Sequence, residues 1–311
     1  MQAALVRQPV LPKHPPHEPP HDRRHHPFHP PPHAPPAKES PVLNRFKSLL
    51  SGRAPARSAV PLVDGVRISQ PALAPDRPVI AIGDVHGCVS ALDALLERID
   101  AACEEDPALR GVMLVFLGDL VDRGPDSREV LARARALTEQ LPENVACLLG
   151  NHELMMLDFI DDPLGRGLRW LAFGGAETLQ SFGITPVSHK AKADAVMDTA
   201  DALDEALNAD GVQAWLRALP DRWLSGNVAC VHAAMAPDRS FEDQSRRHLC
   251  WGQSEFLTRP REDGLWVVHG HTTVAEPTCI DGRVALDTGA YRTGRLTAAV
   301  ISTGQCQFLQ V

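Results

Sequence analysis

From Arg77 onward the chain alternates short apolar runs with polar turns. PVIAIG (78–83), GVMLVFLG (111–118) and VACLLG (145–150) are unbroken apolar runs of strand length, the pattern of strands buried on both faces. Each ends in a glycine-led polar turn, GDVHG, GDLVDRGPDS and GNHE in order. Helical spacing follows each turn, with Leu92, Leu95, Leu96 and Ile99 after the first and a helix over about 127–141 after the second. Three successive strand-to-helix units predict an α/β fold whose sheet is largely parallel and presents polar residues at its carboxyl edge, where such sheets bind ligands. Residues 164–219 read as mostly helical, broken at Gly174-Gly175 and Pro186, and are expected to form a cap or insertion. From Arg222 the pattern turns to short strands (NVACVHA, LWVVHGHT, PTCI, RVALDTGA and LTAAVIS), with a hairpin signal at Asp281-Gly282.

Residues 1–75 follow none of this. Residues 1–40 hold twelve prolines and seven of the fourteen histidines, a composition that favours solvated polyproline II and cannot bury a core. Its imidazoles could hold a transition metal and its PxxP repeats could dock on a protein partner. One short amphipathic helix is expected at about 41–51, capped by Ser40, with Val42, Leu43, Phe46, Leu49 and Leu50 on one face and Gly52 as its stop. The charge is equally uneven: residues 1–60 carry nine Lys/Arg against three Asp/Glu, so the overall −8 leaves −14 on residues 61–311. An acidic body disfavours nucleic acid as a partner. Seven scattered cysteines without a CxxC argue against a disulfide framework and fit a reducing cytoplasm. Neither a signal-peptide h-region nor a membrane-spanning apolar run is expected.

The chemistry gathers at the strand ends: Asp84 and His86, Asp119, Asp122 and Arg123, Asn151 and His152, then His232 and His271. Taken singly, a Gly-Asp turn is common and a strand histidine is usually a hydrogen-bonded core residue. Jointly, carboxylate, imidazole and amide oxygen form a donor set suited to manganese, iron or zinc in a partly open site. The two-residue step from Asp84 to His86 lets both side chains reach one ion. No GxGxxG after a strand, GxxxxGK[ST], GxSxG or HExxH is present, which excludes dehydrogenase, P-loop NTPase, serine hydrolase and zincin readings.

GDVHG, GDLVDRG, GNHE, VHA and HGHT resemble the motif series of the PPP-type phosphoprotein phosphatases, especially the compact bacterial branch that includes symmetrical dinucleoside-tetraphosphate hydrolases. RWLAFGGAETLQSFG and DTGAYRTGRLTA are similar to further stretches of that branch, and the resemblance covers about residues 78–300. It implies a metallophosphatase domain over 76–311, a central β-sandwich of mixed sheets flanked by helices, with two divalent ions, manganese first among them. It assigns Asp84, His86 and Asp119 to the first ion, Asp119 as a bridge, and Asn151, His232 and His271 to the second. His271 is preferred to His269 because it stands just before Thr272. Arg123 would grip the substrate phosphate, His152 oriented by Asp122 would be the general acid, and Asn151 and Tyr291 would stand beside the substrate. The implied reaction is direct in-line attack on phosphorus by water activated between the two ions.

One position departs from the resemblance. Where bacterial relatives carry a second phosphate-contacting arginine, LCWGQSEFL has Gln253, leaving Arg246 or Arg247 as substitutes. The aromatic residues are few and spread along the chain, whereas a nucleotide wants stacking surfaces, so the expected substrate is a phosphoprotein (phosphoserine, phosphothreonine or phosphotyrosine) or a phosphorylated small molecule. The alternatives are a dinucleoside-polyphosphate hydrolase on the same centre and an inactive metal-binding scaffold acting through the tail.

Overall fold

The computed structural model describes residues 71–311. The Pro/His-rich stretch and the helix expected at about 41–51 lie outside the described residues. Residues 71–75, grouped with the tail by sequence pattern, are tied to the body. Asn227 accepts the Ala74 N–H on Oδ1 at 2.7 Å and donates from Nδ2 to the Ala72 carbonyl at 2.9 Å. Trp266 Nε1 donates to the Pro71 carbonyl at 2.7 Å, and Leu73 is buried.

Two five-stranded sheets form the centre. In the first, β1 (Val79–Ile82), β2 (Met113–Phe116) and β3 (Val145–Cys147) run parallel, and β9 (Thr297–Ser302) and β10 (Gln305–Gln310) extend it antiparallel beyond β1. The second holds β4 (Arg222–Ser225), β5 (Val228–Val231), β6 (Trp266–His269), β7 (Thr278–Ile280) and β8 (Arg283–Ala285) in the order β4-β5-β6-β8-β7, with β5, β6 and β8 parallel. Both sheets are therefore mixed rather than largely parallel. The reason is local: short turns at Gly226-Asn227, Asp281-Gly282 and Gly304 return the chain at once, which permits only antiparallel pairing. Asp281 (φ 51°) and Gly282 (φ 74°) both adopt positive φ, as a type I′ turn demands.

The alternation along the strands sorts residues into layers. Ile80, Ile82, Leu114 and Phe116 face helices α1 (Val89–Glu105), α2 (Ser127–Gln140) and α3 (Asn151–Asp161). Segment 164–219 joins the same layer: Trp170, then Leu179 of α4 (Gly175–Ser181), Leu203 of α5 (Ala193–Ala209) and Leu216 of α6 (Val212–Ala218) enter that core. Val79, Ala81, Met113 and Val115 face the other way, onto Val228, Cys230, Val268 and Val284 of the second sheet. The outer side of that sheet is covered by α7 (Arg246–Trp251) and Phe256. The result is a β-sandwich between helical layers, the metallophosphatase architecture. Among the described residues no helix is long and apolar enough to cross a membrane.

Asn227 satisfies backbone groups on two neighbouring residues, so Asn227→Ala should cost about 1–3 kcal/mol in chemical denaturation and open 71–75 to limited proteolysis.

Candidate metal centre

Six strand ends meet at one edge. β1, β2 and β3 deliver Asp84 and His86, Asp119 to Arg123, and Asn151 with His152, while β5, β6 and β8 deliver His232, His271 and Asp287. The two sheets are locked there by direct bonds, His232 Nδ1 to the Leu117 carbonyl at 3.0 Å and the His271 N–H to either Asp84 oxygen at 3.1 Å. Asp84 is buried and its carboxyl pKa is raised well above the ordinary range, first by burial and then by the charge of Asp287.

Asp119 is the meeting point. His86, Asp119 and His152 can bring ligand atoms within 4.8 Å of one another, and so can Asp119, His232 and His271. His86 Nε2 stands 3.6 Å from one Asp119 oxygen and His232 Nε2 stands 3.3 Å from the other. Asn151 Oδ1 faces His232 Nε2 at 2.9 Å and His271 Nδ1 at 2.8 Å. Of the residues singled out in the sequence, Asp84 lies outside both triads, turned toward the His271 backbone. His269 packs its ring against Phe256 at 5.0 Å and points away as a core histidine.

These donors fit divalent metal. His86 and His232 spend Nδ1 on the backbone carbonyls of Val121 (2.8 Å) and Leu117 (3.0 Å), which leaves Nε2 facing the carboxylate, the arrangement expected behind ligating imidazoles. At His232 the surroundings favour positive charge, whereas burial lowers the pKa of His86 and His271. Burial alone would lower the His232 pKa, yet Asp119, Asp84 and Glu153 lift it to about 10. Burial also opposes ionisation of Asp119, but His232 and His152 hold its pKa well below the ordinary carboxylate value.

The backbone is strained here. His86, Asp119, Asp122, Arg123 and His271 all have φ between 45° and 76°, a region most non-glycine residues avoid. Glycines make the crowding possible: a Cβ at Gly270 would overlap the Asp84 carboxylate, and one at Gly150 would overlap Asp119. Glu153, the last residue of GNHE, to which the sequence reading gave no role, holds this corner. Its Oε2 accepts the N–H groups of Asp119 (3.0 Å) and Gly150 (2.9 Å), and Oε1 those of Leu120 (2.7 Å) and Val121 (3.2 Å).

A second cluster surrounds His152. Its Nδ1 bonds Asp122 Oδ2 at 2.6 Å, and Asp122 also accepts from Trp170 Nε1 at 2.9 Å and Thr178 Oγ1 at 2.6 Å. Burial alone would depress the His152 pKa, but Asp119 and the Asp122 hydrogen bond raise it above the ordinary value. The Arg123 fork donates to Nε2 of His86 at 2.9 Å and of His152 at 3.0 Å, and its guanidinium lies 4.9 Å from the Tyr291 ring centre. Trp170 and Thr178 belong to the RWLAFGGAETLQSFG stretch, whose motif character was the signal available in the sequence.

Gln253 carries a buried Oε1 without a hydrogen-bond partner, and its neighbour Gly252 lies against His271. Arg246 does not substitute for the missing arginine, because its guanidinium is engaged with Asp221 at 3.3 Å. Tyr291 meets the His86 ring edge-on at 5.4 Å, Phe173 is exposed beside Gly174, whose carbonyl accepts the Arg123 N–H, and Trp251 lies 4.1 Å under the Arg169 guanidinium.

Residues 77–275 match the sequence profile of the calcineurin-like phosphoesterases, and the chain belongs to that family. A symmetrical bis(5'-nucleosyl)-tetraphosphatase of Methylococcus capsulatus is 35% identical over 51% of this chain and 44% of its own length. The asymmetrical bis(5'-nucleosyl)-tetraphosphatase PrpE of Geobacillus sp. is 28% identical over 70% of this chain and 87% of its own. The chain thus spans less than half the length of the symmetrical relatives it matches. A crystal structure provisionally described as a diadenosine tetraphosphatase shares the fold, with TM-score 0.50 and 22% identity over 77% of this chain and 98% of that one. The phosphoprotein substrate expected from the sequence is overturned by these relatives, which are named for nucleotide substrates.

Replacing Glu153 by Gln sets an amide NH2 against two of the four backbone N–H groups now bonded to its carboxylate, and should weaken divalent-metal binding about 10–100-fold by titration while the protein stays folded by circular dichroism.

Proposed function

We propose that this chain is a metal-dependent hydrolase of dinucleoside polyphosphates. The observation that carries the reading is the convergence of His86 and His232 on the two oxygens of Asp119, with Asn151 bridging His232 and His271, in a chain whose relatives are named bis(5'-nucleosyl)-tetraphosphatases. In this reading Asp84, His86 and Asp119 hold the first of two ions, and Asp119, Asn151, His232 and His271 hold the second. Manganese suits the mixed carboxylate, imidazole and amide set. When bound, the ions supply Lewis-acid charge stabilisation and a water acidic enough to attack phosphorus at neutral pH.

The chain's own groups do the rest. Arg123 presents a planar fork to phosphate oxygens and steadies charge growing on the transferring group, while Tyr291 braces its guanidinium from one side. Tyr291 and Phe173 offer stacking faces for a base beside the phosphates. His152 would carry a proton on Nε2 for the departing phosphate oxygen once Arg123, which donates to that nitrogen in the free site, turns to the substrate phosphate, and Asp122 keeps Nδ1–H directed and favours the charged imidazolium. Asp122 is fixed in turn by Trp170 and Thr178. A cytoplasmic location, where nucleotides abound and thiols stay reduced, agrees with this reading.

At equal enzyme with manganese added, diadenosine tetraphosphate should be cleaved much faster than a phosphoserine peptide, with products read by chromatography; preferential cleavage of the peptide would sink the proposal. His152→Ala should keep its bound metal and slow turnover by about 10²-fold, the lower end of general-acid effects because a phosphate leaving group needs little help. The raised His152 pKa gives the sign of the pH effect: the proton donor is present below that pKa and lost as pH rises through it. Asp122→Asn should therefore move the alkaline fall of kcat to lower pH.

A further inference from the structure

Two cysteines distant in sequence meet at one end of the sandwich. β7 is the edge strand of the second sheet and β10 is the edge strand of the first. In register, Cys279 pairs with Val284 and Cys306 pairs with Ile301. Cross-strand partners share a face. Val284 and Ile301 are both fully buried in the core between the sheets, so both cysteines turn inward across that gap, and both pack against the same core. The two thiols are near enough to shift each other's pKa, and each cysteine is half-buried at an open edge rather than sealed inside. By contrast Cys103, Cys147, Cys230 and Cys250 are buried singly, and Cys88 sits alone near the metal centre.

We propose that Cys279 and Cys306 form a redox-responsive disulfide that staples the two sheets together at their open edge, with a small-molecule disulfide such as oxidised glutathione as the oxidant. The Cys279 thiolate attacks one sulfur of oxidised glutathione, forming a mixed disulfide and expelling one glutathione thiolate. The Cys306 thiolate then attacks the Cys279 sulfur, expelling the second glutathione thiolate, so the protein loses two protons and two electrons while one glutathione disulfide becomes two thiols. The hydrogen bond from Cys306 favours the order of attack, since it lowers the Cys279 pKa and raises that of Cys306. The bond would close a loop containing β8, Asp287, Tyr291 and β9, and cross-links of such long loops restrict the unfolded chain most.

The test treats the reduced full chain with oxidised glutathione, quenches by alkylation, and maps peptides by mass spectrometry without reduction. The expected result is a Cys279–Cys306 cross-linked peptide, a melting temperature several degrees higher, and reversal of both by dithiothreitol. Cys279→Ser and Cys306→Ser should each abolish the cross-link and the thermal gain. Separate glutathione adducts on the two cysteines, or no reaction there while Cys88 is modified, would overturn the pairing. A cross-link that leaves the melting temperature unchanged would overturn the staple. Because mapping is done on the unaltered protein, the pairing is tested even where a serine variant folds poorly.

Discussion

The centre is organised by a carboxylate that stands behind the donor residues rather than among them. Glu153, fully buried at the start of α3, gathers N–H groups from Asp119, Leu120, Val121 and Gly150. Ordering one turn with four hydrogen bonds to a charged acceptor offsets the strain of positive φ at Asp119 and its neighbours. Burial raises the Glu153 pKa to about 7, with the Asp119 charge adding to the shift. Below that pH, protonation withdraws acceptor capacity from the turn.

That turn is only one of several at the edge, and the fold explains why they coincide. Parallel strands in both sheets point their carboxyl ends the same way, and packing the sheets face to face brings the ends together. Histidines from the second sheet then reach a carboxylate from the first, so the site forms only when the sandwich closes. The Asp84 pKa is raised first by burial and then by the neighbouring carboxylates Asp287 and Asp119. A divalent ion at this place relieves repulsion as well as supplying chemistry.

Much of this was legible in the amino-acid order, for a local reason. Asp84, His86, Asp119 and Asn151 stand in glycine-flanked turns directly after apolar strands, so strand pattern and ligand chemistry lie within a few residues of each other. His232 and His271 were legible from the strands that precede them. What was not legible depends on long-range geometry. Glu153 reads as an ordinary helix residue until its partners 32 to 34 positions earlier are known. The Asp281-Gly282 hairpin and the mixed sheets were legible, whereas the Cys279–Cys306 pair emerges only once register is fixed.

Asp122 joins two regions that could otherwise move apart. Its carboxylate is held by the indole of Trp170 and the hydroxyl of Thr178, both from the helical stretch laid on the outer layer, and it holds Nδ1 of the His152 ring. Loosening of that stretch on warming would therefore misdirect His152, the proposed proton donor, while the donor atoms around Asp119 stayed in register. Catalysis and ion retention are thus separable on heating, and a partly melted chain would persist as an ion carrier without turnover.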